Sequence, residues 1–303
     1  MNSNPVGIVP FADEHLDAAA EMLAARHARH REAEPLLPAD VDFRAQVESE
    51  WSVEGASGVI SPHGYLLGRP AHGWFTVGIG GHAVDGDREH ARDLYAAAAQ
   101  RWVDAGRTQH AIYLPSSDEP LVDAWFRLSF GASGVFAMRE TASEEPFDGH
   151  VTMRPGGPDD FGTAARLEIA MHEAMEPSPS FSDIPLKSPE ETEAEWREDD
   201  FSPYELFVAE RDGGVVGHLL LYRRPHDLRV PAGSIDLAPA STYPDARGTG
   251  AGRALTAHGI RWAYENGYTA MTTDWRMTNL WASRFWPKRG FRTTFLRLYR
   301  SIP

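Results

Sequence analysis

The stretch Ser241-Thr242-Tyr243-Pro244-Asp245-Ala246-Arg247-Gly248-Thr249-Gly250-Ala251-Gly252-Arg253-Ala254-Leu255 leads from one apolar segment into another that has helical periodicity. Glycine recurs at every second position, at Gly248, Gly250 and Gly252. Because glycine lacks a Cβ, such a loop turns freely and its N–H groups can point at one bulky anion. The apolar period after Gly252 predicts a helix whose positive end faces the same point. The stretch therefore predicts a phosphate-binding loop.

Two common phosphate-binding motifs are excluded by the residues of this loop. A P-loop requires Lys followed by Ser or Thr after its last glycine, but Arg253-Ala254 follow Gly252. The dinucleotide fingerprint requires glycines at the spacing G-x-G-x-x-G, and counting from Gly248 its third position is Arg253. A different class of phosphate-containing ligand is therefore expected.

The order Arg247-x-x-Gly250-x-Gly252 resembles the R-x-x-G-x-G signature of the GNAT acyltransferase superfamily. Glycine-rich turns between strands and helices are common, so this pattern alone does not identify a family. A second signature of that superfamily follows in the expected order and at the expected spacing, at Asn279, Ala282, Trp286, Gly290 and Phe291. The resemblance extends from about Val151 to Arg300.

The elements predicted from apolar periodicity follow one another in the same order in both halves of the chain. Arg101-Trp102 matches Arg261-Trp262 at a shift of 160, and Trp125 matches Trp286 at a shift of 161. Two unrelated α+β domains are the alternative to a duplication, but they explain neither the paired tryptophans nor the repeated order. At the shift of 160, the three loop glycines correspond to Arg88, His90 and Arg92, whose long side chains exclude a phosphate cradle.

We therefore predict an α+β fold made of two tandem GNAT-like domains. Residues 1–143 would be a degenerate copy without the phosphate loop, and residues 150–303 an acetyltransferase domain with it. The polar, turn-rich segment between them reads as a linker. The resemblance implies that each domain is a mostly antiparallel mixed sheet, flanked by helices, in which two parallel strands splay apart.

Composition limits the class of protein. A chain of 303 residues with 42% hydrophobic content is long enough for two domains, and it contains no cysteine for a disulfide, a thiol nucleophile or a cysteine-based zinc site. The first five residues lack the features of a signal peptide, and no apolar run approaches the length of a membrane span. We expect a cytoplasmic protein that does not enter the membrane.

The formal charge of −15 argues against nucleic acid as a partner. It could favour a cationic acceptor. The acidic residues are dispersed along the chain, however, so we favour a role in solubility. We expect a monomer or a homodimer.

The resemblance implies acetyl-CoA as the cosubstrate. Its diphosphate would bind the N–H groups of the loop, with charge added by Arg247 and Arg253. The main chain that would hold the diphosphate comprises Gly248, Thr249, Gly250, Ala251, Gly252 and Arg253. The pantetheine arm would run beside Ala240, Ser241 and Thr242, and the N–H of Thr242 would donate to the thioester carbonyl oxygen.

Asn279 and Trp286 occupy two further positions of the family pattern. Asn279 is expected to hydrogen-bond the cofactor arm or to cap the helix that follows it, and the two roles are compatible. Many relatives have a tyrosine, which protonates the departing thiolate, at the position of Trp286. An indole N–H is no practical acid, so the general acid is open, with Tyr299 and Tyr243 as candidates.

Asp236 is the candidate general base, because it lies on the predicted strand before the loop. The alternative is an ordinary aspartate at the surface, since only burial would raise the pKa of a carboxyl group toward a useful value. His172, Glu173 and Trp275 are expected to line the acceptor side. His27 and His30 form a pair on a charged helix, which we read as solvated surface, and no metal is expected.

The leading hypothesis is an acetyl-CoA-dependent N-acetyltransferase in which a small-molecule primary amine attacks directly in a ternary complex. The alternative is a CoA-binding pseudoenzyme or sensor without turnover. The tandem architecture is similar to that of mycothiol synthase, but the acceptor remains open among antibiotics, polyamines, amino acids and peptides.

Overall fold

The computed structural model describes residues 7–182, 184–198 and 200–303, so the N-terminal segment considered above for export lies outside it. In the first half of the chain the elements are β1 (Val9–Pro10), α1 (Leu16–Ala33), α2 (Phe43–Trp51), β2 (Ser57–Ser61), β3 (Gly64–Ala71), β4 (Trp74–Val77), β5 (His82–Val84), α3 (Glu89–Asp104), β6 (Gln109–Pro115), α4 (Glu119–Arg127) and β7 (Gly131–Glu140). In the second half they are β8 (Thr152–Pro155), α5 (Phe161–Glu173), α6 (Pro189–Glu198), β9 (Tyr204–Arg211), β10 (Gly214–Tyr222), β11 (Ser234–Thr242), α7 (Ala251–Glu265), β12 (Ala270–Arg276), α8 (Leu280–Phe285) and β13 (Arg292–Ser301). This order confirms the predicted α+β class.

The chain folds into two units whose limits differ from the predicted domains 1–143 and 150–303. Unit 1 comprises the described residues up to Phe136, the segment His226–Pro231 and the C-terminal segment Thr293–Pro303. Unit 2 comprises Ala137–Pro225 and Ala232–Arg292. The last strand, β13, pairs antiparallel with β6, with Leu298 opposite Ile112, and this pairing places the C-terminus of the chain in unit 1.

Unit 2 is a mixed sheet of order β12-β11-β10-β9-β8. All neighbouring pairs are antiparallel except β11 and β12, which run parallel. Helix α7 covers one face, where Gly259 approaches Leu219, and α5 covers the other, where Phe161 packs against Leu220. These faces alternate along β10 because successive side chains of a strand point to opposite sides.

The parallel pair of unit 2 separates halfway along β11. The two strands are in register only from Ser234 opposite Ala270 to Leu237 opposite Thr273. After Leu237, the pairing of β11 with β10 shifts, so that Ala238 and Pro239 face the single residue Leu220. This is a β-bulge, which bends a strand, and proline at this point removes no needed N–H donor from the ladder. The predicted gap between splayed parallel strands is confirmed.

Unit 1 repeats this arrangement in β3, β4 and β6. Strand β4 pairs antiparallel with β3 and parallel with β6, and the parallel register ends at Val77 opposite Ile112. Beyond that point the unit fills its own gap: the His82 ring lies 2.8 Å from the carbonyl oxygen of Tyr113, and the buried Arg26 guanidinium donates to the carbonyl oxygens of His82 and Ile79. At the start of α3, where the shift of 160 predicts the counterparts of the loop glycines, the Arg88 guanidinium lies 2.5 Å from Asp123.

Candidate functional site

Unit 2 contains a cavity of about 920 Å³. Its walls come from the second half of β11, the glycine loop, the start of α7, the end of β12, α8 and the end of α5. The cavity therefore lies at the gap between β11 and β12 and at the phosphate loop, the two features that the sequence placed together.

The glycine loop has the backbone conformation that its composition predicts. Gly248 and Gly250 have φ of +78° and +102°, in the left-handed region that glycine adopts without strain. The first helical hydrogen bond of α7 runs from the Ala254 N–H to the Gly250 carbonyl, at 2.9 Å. The N–H groups of Ala251, Gly252 and Arg253 precede that bond, so they have no acceptor within the helix. They are donors for an anion at the helix N-terminus.

Gly252 differs from the other two glycines because its φ is not positive. A Cβ built at Gly252 would come no closer than 3.9 Å to Thr242 and 4.0 Å to Phe285. The protein itself therefore does not require glycine here. Since Gly252 lines the cavity, its missing side chain leaves room for a ligand close to the main chain.

The main chain of β11 presents donors to the gap. The N–H of Tyr243 donates to the Val216 carbonyl on the β10 side, at 3.0 Å. Because N–H directions alternate along an extended chain, those of Thr242 and Ala240 point to the opposite side, where β12 no longer pairs. An extended ligand in the gap could therefore accept hydrogen bonds from these N–H groups of β11.

Positive charge is concentrated around the loop in spite of the net charge of −15. Six cationic side chains line the cavity and form no ion pair with any carboxylate in the part of the chain that the structure describes. They are Arg247, Arg253, Arg276, Arg284, Lys288 and Arg289. Three of them stack on aromatic rings instead. The distances from the guanidinium carbon to the ring centre are 4.5 Å for Arg247 on Trp281, 3.8 Å for Arg253 on Phe147 and 4.0 Å for Arg289 on Phe285.

Two of these guanidinium groups are held partly out of water. Burial lowers the pKa of Arg247, and burial followed by the nearby Arg253 lowers the pKa of Arg289. Partial burial of a cation is unfavourable, and an anionic ligand relieves that cost. The loop N–H groups and these side chains together offer donors and positive charge to an anionic ligand.

Comparison with protein-family models shows which family this unit is similar to. Residues 169–291 match the model of the acetyltransferase (GNAT) family, a range that includes the loop, the gap and α8. This part of unit 2 is a GNAT-type domain. No match was found among curated protein sequences.

Solved structures extend the likeness of this GNAT domain to a tandem fold. A GCN5-related N-acetyltransferase from Sphaerobacter thermophilus superimposes with a TM-score of 0.61 at 17% identity, covering 98% of this chain and 96% of its own. A tandem GNAT protein from the clavulanic acid biosynthesis pathway superimposes with a TM-score of 0.54 at 13% identity, covering 97% of this chain and 98% of its own. The glucosamine N-acetyltransferase region of a fungal multi-domain β-N-acetylglucosaminidase gives 0.57 at 14%, covering 96% of this chain and 37% of that one. The predicted tandem GNAT fold is confirmed.

Most of the residues assigned to cofactor binding from the sequence line the cavity of the GNAT domain. These are Ala240, Ser241, Thr242, Arg247, Gly248, Gly250, Gly252, Arg253, Asn279 and Trp286. Thr249 and Ala251 do not. The Thr249 hydroxyl donates to the Ala246 carbonyl at 2.7 Å, and the Ala251 side chain is fully buried, so Ala251 can contribute only its main chain.

Asn279 is the N-cap of α8, which is one of the two roles expected from the sequence. Its Oδ1 accepts from the Ala282 N–H at 3.1 Å. Its Nδ2 donates to no group within the described residues, and Asn279 lines the cavity. Trp286 also lines the cavity and packs edge-on against Phe285 and Phe291. The indole therefore forms part of the wall of the cavity.

Asp236 is buried, with 2% of its surface exposed, so the alternative of a surface aspartate is wrong. Its Oδ2 lies 3.0 Å from Arg224 Nη2, and its Oδ1 accepts from the Thr272 hydroxyl at 2.5 Å. Asp236 and Arg224 both line the cavity. The carboxylate thus reaches the ligand space while β10, β11 and β12 hold it in place.

Of the other residues suggested for the general acid or for acceptor contacts, only some line the cavity. Tyr299 does not line this cavity: it lies on β13 in unit 1, with its ring edge-on to Trp74 at 5.5 Å. Tyr243 and Glu173 are not lining residues either, whereas His172 and Trp275 are. Glu168, one turn before His172, takes the place expected for Glu173, because only one face of α5 looks into the cavity.

His27 and His30 correct another expectation, since both are buried in unit 1 rather than solvated. Burial lowers the pKa of each, that of His30 to about 3. Among residues 7–182, 184–198 and 200–303, no group of His, Asp and Glu side chains could hold a metal ion, and no helix is long and apolar enough to cross a membrane.

Sequence reasoning missed four cations of the site, on or beside α8. Arg276, Arg284, Lys288 and Arg289 stand within 14 positions of one another in an acidic chain, around the Asn279 motif. That local density was a readable signal. Arg224 and Glu168 gave no such signal, because they come from distant segments.

Proposed function

We propose that unit 2 transfers an acetyl group from acetyl-CoA to a primary amine of a small molecule, by direct attack in a ternary complex. The observation that carries this proposal is a set of six cations around a glycine loop and a gap between parallel strands, in a protein of net charge −15. None of the six is paired with a carboxylate among the residues that the structure describes. CoA carries a diphosphate and a 3′-phosphate on an extended amide arm, which suits these features together.

In the proposed complex, the loop N–H groups and Arg247, Arg253 and Arg289 hold the phosphates. The pantetheine arm extends along the free edge of β11 and pairs with it as an added strand would. The Nδ2 group of Asn279 donates to the same arm. The Thr242 N–H then faces the thioester carbonyl oxygen, where it stabilises the negative charge that develops during attack.

The chemistry requires little beyond this positioning. The neutral amine nitrogen attacks the thioester carbon, and collapse of the tetrahedral intermediate breaks the C–S bond and releases CoA thiolate. The proton lost by the nitrogen passes to Asp236, which Arg224 and Thr272 hold at the cavity wall. An alkyl thiol has a pKa of about 8.5, so the thiolate leaves readily and takes a proton from solvent.

One observation favours the second candidate, a CoA-binding protein without turnover. No tyrosine lines the cavity in the part of the chain with described positions, and Trp286 stands where relatives have the acid. If loss of that acid abolishes chemistry, the cations and the loop would still bind CoA.

Calorimetry with acetyl-CoA tests the shared step, and a thiol assay separates the two candidates. We expect binding by the wild-type protein and a drop of at least about tenfold in Arg289→Gln, which loses a charge-assisted contact. Arg166→Gln, on α5 and outside the cavity, is the matched control. Because the chain has no cysteine, a disulfide reagent reports only released CoA thiol. Release of CoA thiol with any amine of a panel supports acetyl transfer. Binding of acetyl-CoA without thiol release supports the CoA-binding protein without turnover. If acetyl-CoA does not bind, both candidates are rejected.

A further inference from the structure

His218 is a histidine with no role in the chemistry described so far, yet it is fully buried in the sheet of unit 2. It lies on β10 directly opposite Ser241 on β11. Its Nδ1 is 3.2 Å from the Ser241 hydroxyl oxygen, and its Nε2 has no partner among the described residues. Burial lowers the pKa of His218 to about 4, so the ring is neutral at pH 7.

The positions of the protons follow from the third member of this group. The Ser241 hydroxyl is 3.0 Å from the main-chain carbonyl oxygen of Leu167 on α5. A carbonyl oxygen only accepts, so Ser241 donates its single proton to Leu167. Toward His218 the hydroxyl must then accept, which requires the proton of the neutral imidazole to be on Nδ1.

This tautomer also gives the better account of the unpaired Nε2. With the proton on Nδ1, Nε2 is a buried acceptor without a partner; with the proton on Nε2, it would be a buried donor without one. Unsatisfied acceptors are tolerated better than unsatisfied donors in protein interiors. The two hydrogen bonds of Ser241 and the unpaired Nε2 of His218 therefore both indicate a neutral ring with its proton on Nδ1.

In this arrangement Ser241, which lines the cavity, can only accept a hydrogen bond from a ligand. Its proton is committed to Leu167 and one lone pair to His218, so a ligand meets only the second lone pair. Ser241 lies on the α5 side of the sheet, as do Met171, His172 and Met175 of the cavity wall. The neighbouring residue in the chain, Thr242, presents the N–H that faces the gap.

We propose that His218 is a positioning residue that fixes the Ser241 hydroxyl as an obligate hydrogen-bond acceptor for an N–H of the attacking amine. This inference rests on the proposed function, and it adds a requirement on the acceptor. The amine must direct one N–H at Ser241 while its lone pair faces the thioester carbon.

The hydrogen-bond arrangement is tested without turnover. Histidine ¹⁵N chemical shifts of the intact protein, assigned by comparison with His218→Asn, are expected to show a neutral His218 ring protonated on Nδ1. A ring protonated on Nε2 would overturn the inference whether or not the protein is an enzyme.

The amine contact is tested by kinetics with the best substrate from a panel of glucosamine, spermidine, phenethylamine and lysine. Ser241→Ala and His218→Leu are expected to raise the KM of the amine about tenfold. The acetyl-CoA Kd should not change, because the proposed contact of β11 with the pantetheine arm is made by the main chain, which both variants keep. His218→Asn is expected to stay within about threefold of wild type, because its amide N–H occupies the place of Nδ1–H. His258→Asn, which changes a partly buried histidine of α7 outside the cavity, is the control.

The outcomes separate the two proposals. A wild-type protein that acetylates none of the amines overturns the proposed function and with it this contact. Turnover with an unchanged amine KM in Ser241→Ala, or no rescue by His218→Asn, overturns the contact alone. Should His218→Leu fail to fold, Ser241→Ala and His218→Asn still decide the question.

Discussion

The carboxylate of Asp236 lies 3.0 Å from the guanidinium of Arg224, inside the cavity of the GNAT domain. The two residues are on different segments, since Arg224 follows β10 and Asp236 belongs to β11. Arg224 offsets the cost of burying the Asp236 carboxylate next to the ligand space, where an isolated charge would be strongly unfavourable.

Replacing Asp236 by asparagine tests its proposed role as the base. We expect kcat of Asp236→Asn to fall by about 10² to 10³, because an amide cannot take the proton of the attacking amine. The acetyl-CoA Kd should not change. Steady-state kinetics and calorimetry check both values. Glu205→Gln is the matched control, since it removes a carboxylate paired with Arg223 outside the cavity. A kcat within threefold of wild type would exclude Asp236 as the base.

Replacing Gly252 by alanine separates ligand space from backbone requirements. The added methyl meets no atom of the protein closer than 3.9 Å, and alanine favours the helix by up to about 1 kcal/mol. We therefore expect an equal or higher Tm together with an acetyl-CoA affinity at least about tenfold lower, because the methyl enters the space next to the loop N–H groups. Gly157→Ala, also open to space but outside the cavity, is the control. Unchanged affinity in Gly252→Ala would place the diphosphate elsewhere.

Two substitutions of Asn279 distinguish its cap from its ligand contact. Asn279→Ala removes the bond to the Ala282 N–H and should cost about 1 kcal/mol of stability. Asn279→Ser keeps a capping oxygen but loses the Nδ2 donor. We expect near wild-type thermal stability and weaker acetyl-CoA binding for Asn279→Ser. If serine restores affinity as well as stability, the asparagine acts only as a cap.

Acid should destabilise the fold through its buried histidines. An unfolded histidine has a pKa near 6.5, whereas burial lowers the pKa of His218 to about 4 and that of His30 to about 3. Between pH 6.5 and 4 the unfolded chain binds protons that the folded chain does not. Stability is therefore complete above pH 6.5 and falls on acidification, by about 1.4 kcal/mol per pH unit for each residue.

Urea unfolding followed by tryptophan fluorescence at pH 6.5, 6.0, 5.5 and 5.0 measures this slope. His218→Asn should reduce it by about one proton per molecule unfolded. An unaltered slope in His218→Asn would mean that the imidazole is solvated or already protonated in the folded state.

Local features of the sequence allowed much of the second half to be predicted. The sequence pattern from Ser234 to Thr242 predicts a strand with the observed bounds of β11, and the helical period from Gly250 to Asn266 predicts α7 to within one residue at each end. Alternation, helical period and glycine turns are short-range properties, so a sequence shows them directly. No local pattern predicts the short strand β5. It is only three residues long and owes its conformation to pairing with β3.

By itself, the sequence determined the loop, the helix that follows it, the family signature and the duplication, since each depends on neighbours in the chain or on a fixed spacing. The tertiary structure decided the rest. It placed β13 in unit 1, buried Asp236 against Arg224, removed Tyr299 from the cavity, and set His218 opposite Ser241. The reason is physical: strand pairing and the burial of charge are settled by contacts between segments far apart in the chain, and no local pattern encodes which segments those will be.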